Sequence, residues 1–100
     1  MTQDIGLFEQ SPQIRQGIFH VPDNGSYELL RGWIFRAWQY QPDTPTPWWA
    51  WNLRFDADGT AMIGSGCRIW PGMWMLCRVG DTDIWSTVDS SSFDALWQDE

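Results

Sequence analysis

The chain has no lysine and a single histidine among its 100 residues, and these two shortages exclude most catalytic chemistry at the outset. Without lysine there is no Schiff-base amine and no cation to reach a phosphate from a glycine-rich loop. His20 stands alone, with no serine or cysteine placed beside it by the sequence. Cysteine is equally scarce. Cys67 and Cys77 match no zinc-ligand spacing, and no further His or Cys pair exists to complete four ligands. No apolar run approaches the ~20 residues that cross a bilayer as a helix. The opening Met1-Thr2-Gln3-Asp4 has no basic stretch ahead of an apolar one. The expectation is therefore a cytoplasmic protein whose thiols stay reduced and buried.

Positive charge is the next shortage. Six arginines face thirteen carboxylates, for a formal net charge of −7. That balance opposes direct binding to a nucleic-acid backbone, which depends on phosphate neutralisation. It favours a protein partner with a basic surface. Asp23, Asp56, Asp58, Asp81, Asp83 and Asp89 fall in expected turns, where aspartate is also a common turn former. Most arginines fall in expected strands.

What the chain has in excess is tryptophan, nine residues of it, within a 43% hydrophobic composition. Trp and Arg are the side chains that most often anchor binding surfaces, and a guanidinium stacks on an indole better than an ammonium does. One hundred residues suit one domain spanning 1–100. The six prolines and nine glycines cluster as punctuation between short elements. No internal repeat or low-complexity stretch is visible.

Hairpin chemistry dominates the local signals. Asp56-Ala57-Asp58-Gly59-Thr60 reads as a type I turn followed by a left-handed glycine. It predicts pairing of Trp48–Phe55 with Thr60–Trp70, with Leu53 opposite Ile63, Phe55 opposite Ala61 and Trp48 opposite Arg68. Trp49, Trp51, Leu53 and Phe55 then share a buried face. A turn over Trp70–Trp74 would place Cys67 opposite Cys77 and continue that face through Met75 and Val79. Pro22-Asp23-Asn24-Gly25 predicts a hairpin of Gly17–Val21 with Tyr27–Leu30, setting His20 opposite Glu28. Gly80–Asp83 is a weaker turn ahead of Ile84–Val88. Arg31–Tyr40 reads as a strand by composition, although Trp33, Ala37 and Tyr40 also fit one side of a helix. Ser11-Pro12 predicts a helical turn ended by Gly17. Ser91 with Asp94 predicts a short terminal helix carrying Phe93, Leu96 and Trp97. The fold class is α+β and β-dominated: an antiparallel meander of about six strands, as a sheet or a small partly open barrel, with a C-terminal helix.

Two apparent motifs carry no chemistry. Asp56-Ala57-Asp58-Gly59 has the centre of a calcium loop, but Arg54 occupies a ligand position and no glutamate follows at the required spacing. His20 beside Glu28 has the parts of an acid–base pair, yet an exposed cross-strand pair accounts for them as well. No enzyme, metal or cofactor is expected. The remaining constellation is the second face of the central sheet, with Trp48, Arg68, Trp70, Trp74 and Arg78 as candidate partner contacts and Asp56 and Asp58 on an acidic rim. The terminal helix or first hairpin covering that face is the competing account. The expected function is a small non-enzymatic inhibitor or adaptor that occupies a protein partner. Phage-encoded anti-defence proteins and toxin-neutralising immunity proteins offer an analogy of size and charge only. The alternative is a module that stacks a sugar or planar compound on tryptophan.

Overall fold

The computed structural model describes residues 12–23, 27–64 and 66–100. Among the described residues the fold is β-dominated, with two antiparallel sheets and one short helix. The strands are β1 Arg15–Phe19, β2 Phe35–Gln39, β3 Leu53–Phe55, β4 Ala61–Ile63, β5 Cys67–Ile69, β6 Trp74–Arg78, β7 Ser86–Val88 and β8 Trp97–Asp99; the helix is α1 Ser90–Leu96. A five-stranded sheet has the order β7-β6-β2-β1-β8, and a three-stranded sheet has the order β3-β4-β5. Among the described residues no helix is long and apolar enough to cross a membrane.

The longest ladder joins β2 to β6, from Phe35 opposite Arg78 to Gln39 opposite Trp74. Both strands are apolar on both faces, so the sheet is buried from two sides. Phe35, Ala37, Trp74 and Leu76 face one core, closed by Phe93 of α1 and Phe19 of β1. Trp38, Tyr40, Met75 and Cys77 face a second core, closed by Trp49, Leu53, Ala61 and Ile69. The result is three layers: helix, central sheet and small sheet.

The expected Asp56–Thr60 turn is present. Leu53 stands opposite Ile63 and Phe55 opposite Ala61, and Gly59 has the left-handed φ of 89° that the turn requires. The ladder then ends sooner than expected. Trp48–Ala50 forms a 3₁₀ turn, and Gly66, at φ 102°, lets the chain reverse so that β5 pairs back onto β4. Arg68 therefore stands opposite Met62 instead of Trp48. Trp49 and Leu53 are buried as expected, whereas Trp51 and Phe55 are exposed. Nor do the cysteines meet. Cys67 is exposed in β5 and Cys77 buried in β6, because Trp70–Met73 carries the chain from one sheet to the other.

The first hairpin also differs. Glu28–Leu30 is a 3₁₀ turn, and β1 pairs with β2 and β8 instead. His20 donates its backbone N–H to Leu96 and its ring contacts Gln98, not Glu28. The corner residues Asn24 and Gly25 of that expected hairpin lie outside the described residues. So does Ser11, the expected cap of a helical turn before Gly17; residues 15–19 are strand. Val79, expected on the buried face, is exposed beyond the end of β6. Two further expectations correspond: residues 35–39 are strand, and β7 pairs with β6 after the Gly80–Asp83 turn. The terminal helix forms, with Asp89 as its cap in place of Ser91, accepting from Ser92 N–H at 3.2 Å. Trp97 is already extended there and begins β8.

Gly17 has a packing role. A Cβ there would collide with the Gln98 carbonyl and come within 2.8 Å of the Trp97 ring. Gly17→Ala is expected to destabilise the protein by about 1–3 kcal/mol, as overpacking against backbone does. Urea unfolding checks this, and a change below about 0.5 kcal/mol would show that β8 does not lie against β1.

Three aspartates are held below the ordinary carboxylate range: Asp58 by the Thr60 hydroxyl and amide, Asp89 by hydrogen bonds from Ser92, and Asp99 chiefly by Arg15, whose Nε and Nη2 each donate at 2.9 Å. A depressed carboxylate contributes stability above its unfolded value of about 3.9, lost as pH falls through the folded value. The urea midpoint should therefore hold from pH 7 to pH 5 and fall by pH 3, less steeply in Asp99→Asn. An equal fall in that variant would remove Asp99 from the account.

Candidate functional site

The second-core end of the molecule is built around two chain reversals. Pro47, in extended conformation, leads into the Trp48–Ala50 turn. A 3₁₀ turn eclipses residues three apart, so Trp48 and Trp51 project from the same side of it. The other reversal follows β6, where Gly80 adopts φ 102° and Asp81 N–H bonds the Arg78 carbonyl at 2.9 Å. Residues Gly80–Trp85 line an open concavity of about 420 Å³.

Side-chain contacts tie these reversals together. Trp51 Nε1 donates to Asp83 Oδ1 at 2.7 Å. The Arg36 guanidinium lies 5.8 Å from the Trp48 ring centroid and beside the Cys77 thiol, its cross-strand neighbour. Cys77 Sγ donates to the Asp81 carbonyl at 3.4 Å. Arg78 Nε donates to Asp81 Oδ2 at 2.8 Å, and its guanidinium lies 4.4 Å from the Trp33 centroid. These contacts form two groups around one end of the β2–β6 ladder: Arg36 with Trp48 on the second-core face, and Arg78 with Trp33 on the face of Trp74 and Leu76, linked through the buried Cys77 and the Asp81 turn, with Trp51 fixed by Asp83. Trp33, Trp48 and Trp51 are 47%, 62% and 68% exposed. Indoles this exposed are costly unless they have a use, and here hydrogen bonds and guanidinium stacking position them.

The buried thiol at the centre is held neutral. Burial pushes the Cys77 pKa up, and Asp81 and Asp83 add to this, against the opposing pull of Arg36. The surface offers stacking area, two carboxylates and two guanidiniums in fixed positions.

The residues picked out by sequence separate into four places. Trp48 and Arg78 belong to this surface. Arg68, Asp56 and Asp58 meet at the β3–β4 turn: Arg68 Nη1 donates to Asp56 at 3.0 Å and to the Thr60 hydroxyl at 2.8 Å, and that hydroxyl donates to Asp58 at 2.7 Å. Trp70 is exposed at the end of β5. Trp74 is core, 8% exposed and stacked on Phe93 at 3.8 Å and 5°; the terminal helix covers it. Trp33, Trp51 and Arg36 were not picked out. The three-residue spacing of Trp48 and Trp51 directly after Pro47 was the available signal for a 3₁₀ turn, and strand alternation concealed it.

Comparison of the chain with protein-family models, characterised proteins and solved structures finds no match.

The two cysteines give a direct check of this geometry. A thiol reagent should modify one cysteine, Cys67, in the native protein and both after unfolding. Mass mapping of the labelled residue checks the assignment. Rapid native labelling of Cys77 would show that the β6 end of the second core is open.

Proposed function

We propose that the protein is a non-enzymatic binding module that occupies a protein partner through the Trp33–Trp48–Trp51 surface. The observation that carries this reading is the exposure of three indoles around one end of the β2–β6 ladder, each held in place by a charged side chain. Desolvating such aromatic and arginine anchors supplies most of the free energy of typical protein interfaces, with truncation of one costing ~2 kcal/mol or more. Asp81 and Asp83 lie among them, and the formal charge is −7, so the partner presents a basic face and is steered to it. An inhibitor that blocks a basic working surface fits this chemistry, and an anti-defence or immunity-type role is one biological setting for it.

Immobilised protein should capture its partner from lysate of the native host. Trp48→Ala with Trp51→Ala should abolish capture while leaving the unfolding midpoint nearly unchanged, because both side chains are outside the core. Asp81→Asn with Asp83→Asn should slow association more than it speeds dissociation, an effect that added salt reproduces. Trp70→Ala and Arg68→Ala should leave capture intact. Capture that survives loss of Trp48 and Trp51 but fails in Asp56→Asn with Asp58→Asn would move the contact to the β3–β4 turn and overturn this reading.

A further inference from the structure

Each of the three exposed indoles around the end of the β2–β6 ladder has a charged neighbour, and one of these neighbours differs in sign. Trp33 lies 4.4 Å from the Arg78 guanidinium and Trp48 lies 5.8 Å from that of Arg36. Trp51 has a carboxylate instead, donating Nε1–H to Asp83 Oδ1 at 2.7 Å. The chain has no further guanidinium to stack on it. All six arginines are among the described residues, and residues 1–11, 24–26 and 65 contain no arginine, lysine or histidine. The other four arginines engage groups elsewhere: Arg15 two rings of the first core, Arg31 and Arg68 carboxylates, and Arg54 a methionine sulfur.

The carboxylate is unbalanced as well. Asp81 is paired with Arg78 at 2.8 Å, whereas Asp83 is exposed and forms no ion pair among the described residues. Its hydrogen bond also acts on the ring. A carboxylate that accepts from an indole N–H pushes negative charge into the ring, and the negative ring face is what attracts a cation. Trp51 is 68% exposed, which leaves ring surface for a partner to cover. Asp83 also lines the concavity of about 420 Å³ together with Ile84 and Trp85, and these offer apolar surface to an alkyl stem beside the carboxylate.

Taking the exposed indoles as the contact face, as argued above, we propose that Trp51 and Asp83 together receive one arginine side chain of the protein partner, its guanidinium stacked on the indole and donating to the carboxylate. The partner thereby completes on Trp51 the pairing that Arg36 and Arg78 make on Trp48 and Trp33. Lysine fits less well, because its ammonium is more strongly hydrated and has no plane to lay on the ring.

N-Acetyl-argininamide, whose only charge is its guanidinium, is a suitable probe. Titrated at constant ionic strength into the ¹⁵N-labelled full chain, it should shift the Trp51 indole and the amide resonances of residues 82–84 together and saturably, with a dissociation constant on the order of 10 mM. N-Acetyl-lysinamide should bind at least about three-fold more weakly, and the uncharged citrulline analogue at least about ten-fold more weakly. Asp83→Asn keeps an acceptor for Trp51 and removes the charge; it should weaken binding about three-fold, the effect of one exposed ion pair. Trp51→Ala should abolish the amide shifts in a folded protein. The Trp70 indole, 55% exposed and without a carboxylate on its N–H among the described residues, should not respond. Five outcomes would overturn the proposal: no saturable shift up to about 50 mM probe, equal binding of the lysine or citrulline analogue, undiminished binding by Asp83→Asn, shifts that persist in Trp51→Ala, or an equal response at Trp70. Any of these, alongside capture that still depends on Trp48 and Trp51, would leave the contact surface standing and remove only its arginine receptor.

Discussion

The pairing of β2 with β6 is the constraint on which the remaining structure depends. These are the two strands buried on both faces, and each contributes side chains to both cores. Their ladder joins segments far apart in sequence, so its loop-closure cost is met only when both cores assemble. Helix α1 and the small sheet each cover one face of this pair. Neither cover has enough buried area to stand alone, since α1 has only seven residues and every strand of the small sheet has three.

Tryptophan is divided between two uses by this arrangement. Trp38, Trp49 and Trp74 are core, while Trp33, Trp48, Trp51 and Trp70 remain exposed. The arginines follow the same division. Arg15 lies over the Trp74 and Phe93 rings at 5.5 and 5.3 Å, sealing the first core beside Asp99. Arg36 and Arg78 lie against exposed indoles at the opposite end of β2 and β6. A lysine in any of these places would lose the planar stacking, and at Arg15 the two-atom carboxylate contact as well, which is a physical account of a surface built with arginine alone.

Local chemistry was legible in the sequence, and long-range pairing was not. The Asp56–Thr60 turn and the Leu53–Ile63 register follow from turn residues and period-two alternation. The β-dominated class and the terminal helix follow as well. Three features concealed the rest. Gly66 lets the chain reverse inside what reads as one long strand, and this sets Arg68 opposite Met62 instead of Trp48. The 3₁₀ turn at Trp48–Ala50 carries strand-like composition, so Trp51 was placed in the core. The sheet order β7-β6-β2-β1-β8 separates strands that follow one another along the chain, and no local signal reports it. Of the candidate surface, Trp48 and Arg78 were legible as residue types on a strand face. Arg36 and Trp33 join them only through the β2–β6 pairing.

The small sheet leaves and rejoins the central sheet at one point. Tyr40 N–H bonds the Met73 carbonyl, and Gly72 N–H bonds the Tyr40 carbonyl, so residues 41–72 begin and end side by side. Topologically this segment is an excursion from a five-stranded unit, and a short turn would span its ends. It nevertheless serves as the lid of the second core. Without it, Trp38, Met75 and Cys77 would form an uncovered apolar sheet face, the kind of surface through which sheets associate with one another. The excursion thus keeps the five-stranded unit from pairing face to face with a second copy of itself, while its first turn displays Trp48 and Trp51 on the outside.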